Sequence, residues 1–250
     1  MTKILLTGAC GKMGKVVQSV AANKEDCKIV AGVDKFNDET APFPVYSKLS
    51  EVKEEADVII DFSNPSLLDE LLEYAINSKT ALVIATTGYD DCQKKKILDA
   101  SKLCPIFFTY NMSLGINLLA NLAKKAVSVL GDDFDIEIIE QHHNQKIDAP
   151  SGTALMLADA ISEELDKPIK YEYDRHSKRE KRTQNEIGIH SIRGGTIVGE
   201  HSILFAGRDE NITLSHSARS KEVFAVGAVN AALYMNNKTP GIYDMGELIK

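Results

Sequence analysis

The stretch Ile4-Leu5-Leu6-Thr7-Gly8-Ala9-Cys10-Gly11-Lys12-Met13-Gly14 places three glycines directly after a short apolar run. It predicts a strand over 4–7, a helix over 12–22, and a turn between them whose glycines let the backbone approach a pyrophosphate. Because Cys10 stands where the G-x-G-x-x-G pattern has its second glycine, the pattern alone is weak. Asp34 closes the next predicted strand, 20 residues after Gly14, where a carboxylate binds the hydroxyls of an adenosine ribose. Together these features predict dinucleotide binding, with a purely structural turn as the alternative.

The residues around Asp34 bear on the choice of dinucleotide. A carboxylate repels the additional 2′-phosphate of NADP, so Asp34 favours NAD. Lys35, and Lys12 at the start of the helix, could instead pair with that phosphate, or they could be solvated surface residues. The sequence therefore leaves NADH, NADPH or both as the cofactor.

Short apolar runs alternate with amphipathic stretches up to about residue 112, as a parallel α/β sheet requires. The further predicted strands and helices of this part are strands over 28–33, 57–61, 81–85 and 105–109, and helices over 65–77 and 92–101. Two segments follow later strands: Ala85-Thr86-Thr87-Gly88 and Thr109-Tyr110-Asn111-Met112. Ligands bind at this carboxyl edge of open α/β sheets, so we predict that both segments contact the dinucleotide. Ordinary turn formation is the alternative.

The pattern changes after Asn111. The predicted order is a helix over 114–130, a strand over 135–141, a polar loop over 142–150, a helix over 152–165, and strands over 188–193, 196–205 and 211–216. Glycine-containing turns join the last three strands, which favours antiparallel pairing. The predicted fold class is α/β: a Rossmann-like parallel sheet domain plus an inserted α+β domain with a mostly antiparallel or mixed sheet. A closing helix over 221–234 and the tail over 242–249 could return to either domain.

The segment Glu140-Gln141-His142-His143-Asn144-Gln145-Lys146-Ile147-Asp148-Ala149-Pro150-Ser151-Gly152-Thr153 carries the side chains best suited to catalysis. Imidazole exchanges a proton near neutral pH and an ammonium group neutralises a developing anion, which makes His142, His143 and Lys146 candidate functional groups. Ser151, Gly152 and Thr153 begin a predicted helix, where hydroxyl and amide groups bind a carboxylate or simply cap the helix. Lys146 and this helix start together predict a substrate with at least one carboxylate.

Metal binding is not predicted for this chain. The adjacent side chains of His142 and His143 diverge if they lie on a strand, and no spaced ligand set such as H-E-x-x-H is present. The isolated residues His190, His201 and His216 lie on predicted strands and are interpreted as structural.

The composition is that of a soluble globular protein, with 44% of the 250 residues hydrophobic and 26% charged. No apolar run approaches the roughly 20 residues of a membrane-spanning helix, and no signal peptide is recognisable, so we expect a cytoplasmic protein without a membrane partner. A net charge of −7 opposes nucleic-acid binding, and the basic stretch 175–182 is interpreted as a solvated loop. The widely spaced cysteines are expected to be reduced thiols: Cys10, Cys27, Cys92 and Cys104.

Taken together, these motifs resemble those of the dihydrodipicolinate reductase (4-hydroxy-tetrahydrodipicolinate reductase) family. The glycine-rich turn and the segment 140–153 carry the resemblance together with Asp61-Phe62-Ser63, Thr86-Thr87-Gly88, Asn111-Met112-Ser113, Val198-Gly199-Glu200-His201 and Phe224-Ala225-Val226-Gly227-Ala228. It covers essentially the whole chain. It implies an NADH- or NADPH-dependent oxidoreductase that reduces a small cyclic dicarboxylate to tetrahydrodipicolinate, in the diaminopimelate route to lysine, as a cytoplasmic homotetramer.

The resemblance also implies roles for individual residues. In that interpretation His142 and Lys146 form the catalytic acid/base pair, and Lys146, His143 and the Gly152-Thr153 pair contact the substrate. Residues 1–112 and 222–250 form the dinucleotide-binding domain, and residues 113–221 form the domain for substrate binding, catalysis and oligomerisation.

Three positions depart from the family's pattern. Cys10 and Ala85 each replace a frequent glycine, and Lys221 stands where many members carry arginine, with Arg219 two residues earlier. The first two departures bear on the cofactor contacts, and the third leaves a hinge or substrate role near Arg219 and Lys221 open.

Two other functions fit the residues alone. Another two-domain nicotinamide-dependent dehydrogenase would turn over an amino or hydroxy acid and would not need both His142 and Lys146. A non-catalytic dinucleotide-binding sensor would bind the cofactor without oxidising it.

Overall fold

The computed structural model describes residues 1–36 and 40–249; residues 37–39 and Lys250 lie outside the described part. The chain divides into two units, Met1–Ser113 with Glu222–Lys250, and Leu114–Lys221. The closing segment, which the sequence pattern alone left unassigned, thus belongs to the first unit.

Strands and helices follow one another throughout the chain. Up to residue 113 they are β1 (Thr2–Thr7), α1 (Lys12–Ala22), β2 (Cys27–Val33), β3 (Val45–Tyr46), β4 (Val58–Asp61), α2 (Leu68–Ser78), β5 (Ala81–Ile84), α3 (Asp91–Ala100) and β6 (Pro105–Phe108). The second unit contains α4 (Leu114–Leu130), β7 (Asp135–His142), α5 (Gly152–Ser162), β8 (Lys170–Glu172), β9 (Glu186–Arg193), β10 (Gly199–Ala206) and β11 (Asn211–Ala218). The closing segment adds α6 (Glu222–Met235), β12 (Gly241–Tyr243) and α7 (Met245–Leu248).

The first unit is built on a seven-stranded sheet with the order β12-β6-β5-β4-β1-β2-β3, in which every pairing is parallel. The predicted Rossmann-like sheet is confirmed. Consecutive residues of β1, Ile4 to Leu6, and of β4, Val58 to Ile60, are 0% exposed, as in parallel strands covered on both faces. Each such side chain contributes about 1.5–3 kcal/mol on burial, so the centre of this sheet is a rigid mount for its strand ends. The short β3 was not predicted, because two residues are too few to show a period-2 pattern.

Helix α6 completes the first unit from the far end of the chain. It packs against α1, β4 and β5, and its buried residues are mostly small. At Gly227 an added Cβ would lie 1.7 Å from the backbone oxygen of Met112. The missing side chain therefore lets this helix lie directly against the segment that follows β6.

The second unit is built on a mixed sheet with the order β11-β10-β7-β9-β8. Strand β10 pairs antiparallel with β11 and β7, whereas β9 pairs parallel with β7 and β8. The glycine-containing turn after β9 does not make a hairpin with β10, because β7 lies between them. The prediction of a mixed sheet is confirmed, and antiparallel pairing of the last three strands is wrong for β9.

Strand β7 decides where the functional side chains of the second unit lie. The buried residues of this strand are Ile136, Ile138, Glu140 and His142, and they alternate with more exposed residues. The two isoleucines belong to the hydrophobic core with α4 and α5. The same face turns polar at Glu140 and His142, so the carboxyl end of the strand carries two polar side chains into a buried position. His142 is the last strand residue, not the first loop residue as predicted.

Two other segments differ from expectation. Helix α5 ends at Ser162 rather than at residue 165. The basic stretch 175–182 is not simply solvated, because three of its side chains form ion pairs within the unit: Arg175 with Glu186, Lys178 with Glu172, and Arg182 with Asp135 and Glu137. These pairs neutralise acidic residues of the same sheet and fix the loop against it.

Candidate active site

The glycine-rich turn after β1 is packed too closely for side chains. Gly8 has a φ of +71°, and a Cβ there would lie 2.3 Å from the backbone oxygen of Phe62. A Cβ at Gly14 would lie 2.2 Å from the backbone oxygen of Gly8. Gly11 precedes α1 and offers no side chain to cap the first helical turn. The strand-to-helix turn therefore has no side chain at three positions, 8, 11 and 14, as in turns that accept a pyrophosphate.

Asp34 is joined directly to this turn. Its Oδ2 accepts a hydrogen bond from the Cys10 amide at 2.9 Å, and its Oδ1 accepts one from the Phe36 amide at 3.1 Å. The Cys10 thiol donates to the Phe36 carbonyl at 3.0 Å. Cys10 is therefore accommodated in the turn, and the Asp34 carboxylate lies directly beside it, after the end of β2. Lys12 and Lys35 are exposed.

The remaining predicted cofactor residues follow β5 and β6, at the carboxyl edge of the same sheet. Thr87, Gly88 and Tyr110 are exposed, Ala85 and Thr109 are partly buried, and Thr86, Asn111 and Met112 are buried. The Asn111 side chain accepts a hydrogen bond from the Ser113 amide at 2.8 Å, so it shapes the end of its own segment. Met112 faces the interior of the unit, and Tyr110, 68% exposed, is the large side chain most accessible to a ligand.

Asp61 organises this edge of the sheet, a role that the sequence analysis missed. Its buried carboxylate accepts hydrogen bonds from the hydroxyls of Thr7 and Ser63, each at 2.5 Å, and from Tyr89 at 3.4 Å. Burial raises the pKa of Tyr89, and the neighbouring Asp61 charge acts in the same direction. Asp61 thus ties together the ends of β1 and β4 and the segment after Gly88. The motif Asp61-Phe62-Ser63 was recognised in the sequence, but Thr7 and Tyr89, which also bind the Asp61 carboxylate, are distant from it in sequence.

The turn, the Asp34 carboxylate and the edge held by Asp61 fit a dinucleotide, and the fit can be tested at Gly14. Gly14→Ala is expected to raise the Kd for NADH at least about tenfold, because the methyl group forces the turn away from its bound shape. Fluorescence titration of the purified protein measures this. The matched variant Gly152→Ala, where nothing lies within 4 Å of the new methyl, should leave the Kd unchanged. An unaltered Kd for Gly14→Ala would place the dinucleotide elsewhere.

Glu140 is the centre of the polar cluster in the second unit. Its side chain is 0% exposed, and its Oε2 lies 2.6 Å from His142 Nδ1. Burial alone would raise the pKa of Glu140, but hydrogen bonds from Arg193, His142, Ser191 and Ser151 together lower it to about 2. An ionised Glu140 accepts the His142 Nδ1 proton, so Nε2 is the nitrogen available for proton exchange. A Cβ at Gly199 would lie 3.2 Å from Nε2, so the glycine leaves room there.

Arg193 and Ser151 complete the surroundings of Glu140. Arg193 donates to both carboxylate oxygens, with Nη1 2.8 Å from Oε2 and Nη2 2.7 Å from Oε1. The Ser151 amide donates to Oε1 at 3.1 Å, and the Ser151 hydroxyl caps α5 by accepting from the Ala154 amide at 3.1 Å. Ser151 is 2% exposed. It lies within the hydrogen-bond network rather than at its surface, while Gly152 and Thr153 lie at the more exposed start of the helix.

His201 also belongs to this cluster, although the sequence suggested only a structural place for it. It is 4% exposed, its Nε2 lies 3.1 Å from the Ser151 hydroxyl, and its ring meets that of His142 edge-on at 5.2 Å between centroids. Burial lowers its pKa to about 4, and the nearby His142 acts in the same direction. A neutral imidazole therefore packs against the ring of His142. The antiparallel register, which pairs His201 with Glu140, brings it there.

The loop after β7 carries Lys146 beside the cluster. Its Nζ lies 2.8 Å from Asp148 Oδ1, and this hydrogen bond lowers the pKa of Asp148. His143 is partly buried, and its carbonyl accepts from the Lys146 amide at 3.1 Å. Burial lowers the pKa of His142 below its ordinary value, and Glu140 opposes this only in part. The arrangement combines a neutral, oriented imidazole, a cation and a helix N-terminus, which suits proton exchange with a bound anion.

Two further properties concern residues 1–36 and 40–249. No helix in that part of the chain is long and apolar enough to cross a membrane. No group of three or more His, Cys, Asp or Glu side chains among the same residues is arranged to hold a metal ion. The four cysteines, all within the described ranges, are free thiols.

Both parts of the chain match known families in sequence. Residues 2–112 match the model for the N-terminus of dihydrodipicolinate reductase, and residues 115–249 match the model for its C-terminus. The chain is 53% identical over 250 residues to the 4-hydroxy-tetrahydrodipicolinate reductase of Caldanaerobacter subterraneus subsp. tengcongensis, covering 100% of this chain and 99% of that protein.

Solved structures give the same result. A dipicolinate-bound dihydrodipicolinate reductase from Paenisporosarcina sp. TG-14 matches with a TM-score of 0.81 and 27% identity, covering 98% of this chain and 97% of that one. An aspartate dehydrogenase from Thermotoga maritima matches with a TM-score of 0.55 and 10% identity, covering 96% of this chain and 98% of that one. At that identity the second similarity shows the fold alone.

Proposed function

This chain belongs to the dihydrodipicolinate reductase family, and we propose that it reduces 4-hydroxy-tetrahydrodipicolinate to tetrahydrodipicolinate with NADH or NADPH. The reaction is a step of the diaminopimelate route to lysine. The proposal rests on one observation above the others: a buried, ionised Glu140 orients His142 within a cluster that also includes the Lys146 loop and the start of α5.

The proposed role of His142 is to exchange the proton that accompanies reduction. Its Nδ1 is engaged by Glu140 at 2.6 Å, which fixes the ring and directs Nε2 to the substrate. General acid/base help of this kind accelerates a reaction by about 10²–10⁴-fold. A reduced nicotinamide, when bound, would supply the hydride for the ring carbon, and the 4-hydroxyl group would leave as water after taking up the proton.

Lys146 is proposed to bind the substrate and to act with His142 as the acid/base pair. Its ammonium is paired with Asp148 in the structure, at 2.8 Å, and a substrate carboxylate would offer it an alternative partner of the same chemistry. His143, Gly152 and Thr153 are proposed to contact the carboxylates of the cyclic dicarboxylate, using the positive end of α5. Ser151 contributes through its bond to Glu140, which holds the helix start against the catalytic pair.

The first unit is proposed to hold the dinucleotide. The amides of residues 8–14 would receive the pyrophosphate, and Asp34 the adenosine ribose. The segments 85–88 and 109–112 end neighbouring strands of the same sheet edge and are proposed as further contacts. The hydrogen bonds of Cys10 to Asp34 and Phe36 support a turn that keeps this shape without the usual glycine.

The preference between NADH and NADPH is expected to depend on Lys35. If its exposed ammonium pairs with a 2′-phosphate, Lys35→Ala should lower kcat/KM for NADPH about tenfold, corresponding to about 1.4 kcal/mol, and change kcat/KM for NADH less than twofold. Steady-state kinetics with each cofactor measure this. An equal effect on both cofactors would contradict a role in reading the phosphate.

The protein is further proposed to be a cytoplasmic homotetramer assembled through its second unit. The sheet face turned away from α4 and α5 carries partly exposed apolar residues, among them Ile139 and Leu204, and Ile192 is 45% exposed. Such a face favours association with another apolar surface. Light scattering at micromolar concentration should give the mass of four chains.

The reductase activity can be tested directly. Purified protein is mixed with NADH or NADPH and freshly generated 4-hydroxy-tetrahydrodipicolinate, and the absorbance of the reduced cofactor is followed. Consumption above a protein-free control is expected. A folded protein that binds NADH without consuming it would instead favour a dinucleotide sensor. Reduction of NAD or NADP by an amino or hydroxy acid, with no activity towards 4-hydroxy-tetrahydrodipicolinate, would favour another dehydrogenase.

A further inference from the structure

We infer that Arg193 is a positioning residue for both proposed catalytic groups, acting on His142 through Glu140 and on Lys146 through the loop at Asp148. The inference deepens the proposed function and rests on it for the roles of these two residues. The Arg193 side chain donates to Glu140 and to the carbonyls of Ile192 and Asp148, and it acts on the imidazole and the ammonium only through these groups.

The first connection runs through Glu140. Both terminal nitrogens of the guanidinium bind the carboxylate, at 2.7 and 2.8 Å, in the bidentate geometry that fixes two planar groups against each other. The carboxylate oxygen that receives Nη1 is also the one that receives His142 Nδ1 at 2.6 Å. Since Glu140 is fully buried and its ionised form needs a cation, Arg193 maintains the acceptor that orients His142.

The second connection runs through the loop. Arg193 Nη2 donates to the backbone oxygen of Asp148 at 2.6 Å, and the side chain of that same residue holds Lys146 Nζ at 2.8 Å. The neighbouring turn supports the arrangement, because the Gly194 amide donates to the His142 carbonyl at 2.9 Å and the Asn144 amide to the Gly195 carbonyl at 3.2 Å. One guanidinium thus holds the strand that carries the imidazole and the loop that carries the ammonium.

The pairing of two strands fixes Arg193 relative to His142. Strands β7 and β9 are parallel neighbours, and their register places His142 opposite Arg193. The Arg193 side chain is 19% exposed, and Nη1 also donates to the Ile192 carbonyl at 2.8 Å. A lysine at this position would keep the charge, but its single ammonium cannot reproduce the planar fork that serves two carboxylate oxygens and a carbonyl.

The charges around His142 define a measurable consequence. Glu140 acts on it from β7, Arg193 from β9 and Lys146 from the loop, and the neutral ring of His201 packs against it from β10. Asp148 acts on Lys146, with which it is paired. Burial lowers the pKa of His142, Glu140 raises it, and Lys146 and Arg193 lower it. Removing the charge of Arg193 leaves the negative charge of Glu140 less compensated, so the pKa of His142 should rise.

Two substitutions separate charge from geometry. In Arg193→Gln the pKa of His142 should rise by about one unit or more, the scale for a charged neighbour a few ångströms away. In Arg193→Lys that pKa should move by less than half as much, while kcat/KM falls at least about tenfold because the loop and the imidazole are no longer held together. The pKa is measured by NMR titration of the histidine side chains, with the His142 signal assigned from a His142→Gln sample.

Arg182→Lys is the matched control. Arg182 is another arginine that binds acidic residues of β7, at Asp135 and Glu137, and it also donates to the carbonyls of Ile136 and Glu186. It has no hydrogen bond to Glu140, so its substitution should lower thermal stability without moving the pKa of His142 or changing kcat/KM more than twofold.

The outcomes distinguish this inference from the proposed function. An unchanged His142 pKa in folded Arg193→Gln, together with wild-type kcat/KM in Arg193→Lys, would overturn the inference. If Arg193→Gln does not fold, an Arg193→Lys protein whose kcat/KM and substrate KM equal those of Arg182→Lys would overturn it as well. A moved pKa in a protein whose wild type never oxidises NADH with the substrate would support the coupling to His142 and refute the reductase proposal.

Discussion

His142→Gln is expected to lower kcat by about 100-fold or more while leaving the Kd for NADH nearly unchanged. Glutamine can still donate a hydrogen bond to Glu140, so the buried carboxylate stays paired, but its amide cannot exchange a proton near neutral pH. The loss therefore reports the chemistry at Nε2 rather than the packing of the strand. Stopped-flow or steady-state oxidation of NADH at saturating substrate measures it.

A second histidine of the same sheet supplies the control for this experiment. His190 on β9 also pairs with a glutamate, with Nε2 2.8 Å from Glu137 Oε2, but its side chain is 45% exposed. His190→Gln should keep kcat within about twofold of wild type. Equal losses in both variants would mean that the effect comes from disturbing the sheet, and an active His142→Gln would remove His142 from the mechanism.

The parts of the fold that local sequence determines were predicted well. Helices α1 and α4 begin and end as expected, because a 3.6-residue apolar period and a following or preceding glycine are properties of one short segment. The glycine-rich turn is another such case, since Gly8 and Gly14 are required by contacts with the turn itself and with the adjacent strand end. The three shortest strands, β3, β8 and β12, were not predicted because two or three residues are too few to show an alternating pattern.

The candidate site was only partly predictable, because its supporting residues come together through sheet register. Arg193 lies 53 residues after Glu140, and Asp61 lies 54 residues after Thr7. His201 lies in a motif that carries the family resemblance but was interpreted as structural, because only the pairing of β10 with β7 brings it to His142. The polar segment 140–153 was recognised in the sequence, whereas its hydrogen-bond partners on other strands were not.

This difference has a physical origin. A polar residue on a loop stands out locally because it breaks an apolar pattern, as His143 and Lys146 do. A buried charge such as Glu140 is stable only when a distant cation and amide satisfy it, and the identity of those partners depends on strand order. Strand β7 was predicted, but its position between β9 and β10 was not.

Lys146→Ala is expected to reduce kcat by about 100-fold or more and to raise the KM for the cyclic dicarboxylate, with the Kd for NADH unchanged. The ammonium is proposed both to hold a substrate carboxylate and to take part in proton exchange, so its removal affects binding and chemistry together. In Lys146→Arg the KM should lie close to the wild-type value, because this variant keeps a cation near Asp148. It should restore kcat much less, because a guanidinium does not release its proton at neutral pH.

Lys124→Ala removes a comparable surface ion pair, with Glu163 at 2.7 Å in the same unit, and should leave both kcat and KM within about twofold. Comparison with this variant separates the loss of a catalytic cation from the loss of one more lysine. A Lys146→Ala enzyme with raised KM but wild-type kcat would restrict Lys146 to substrate binding and leave His142 as the sole proton-exchanging group. Unchanged kcat and KM together would show that the loop after β7 does not meet the substrate, and the proposed site would have to be abandoned.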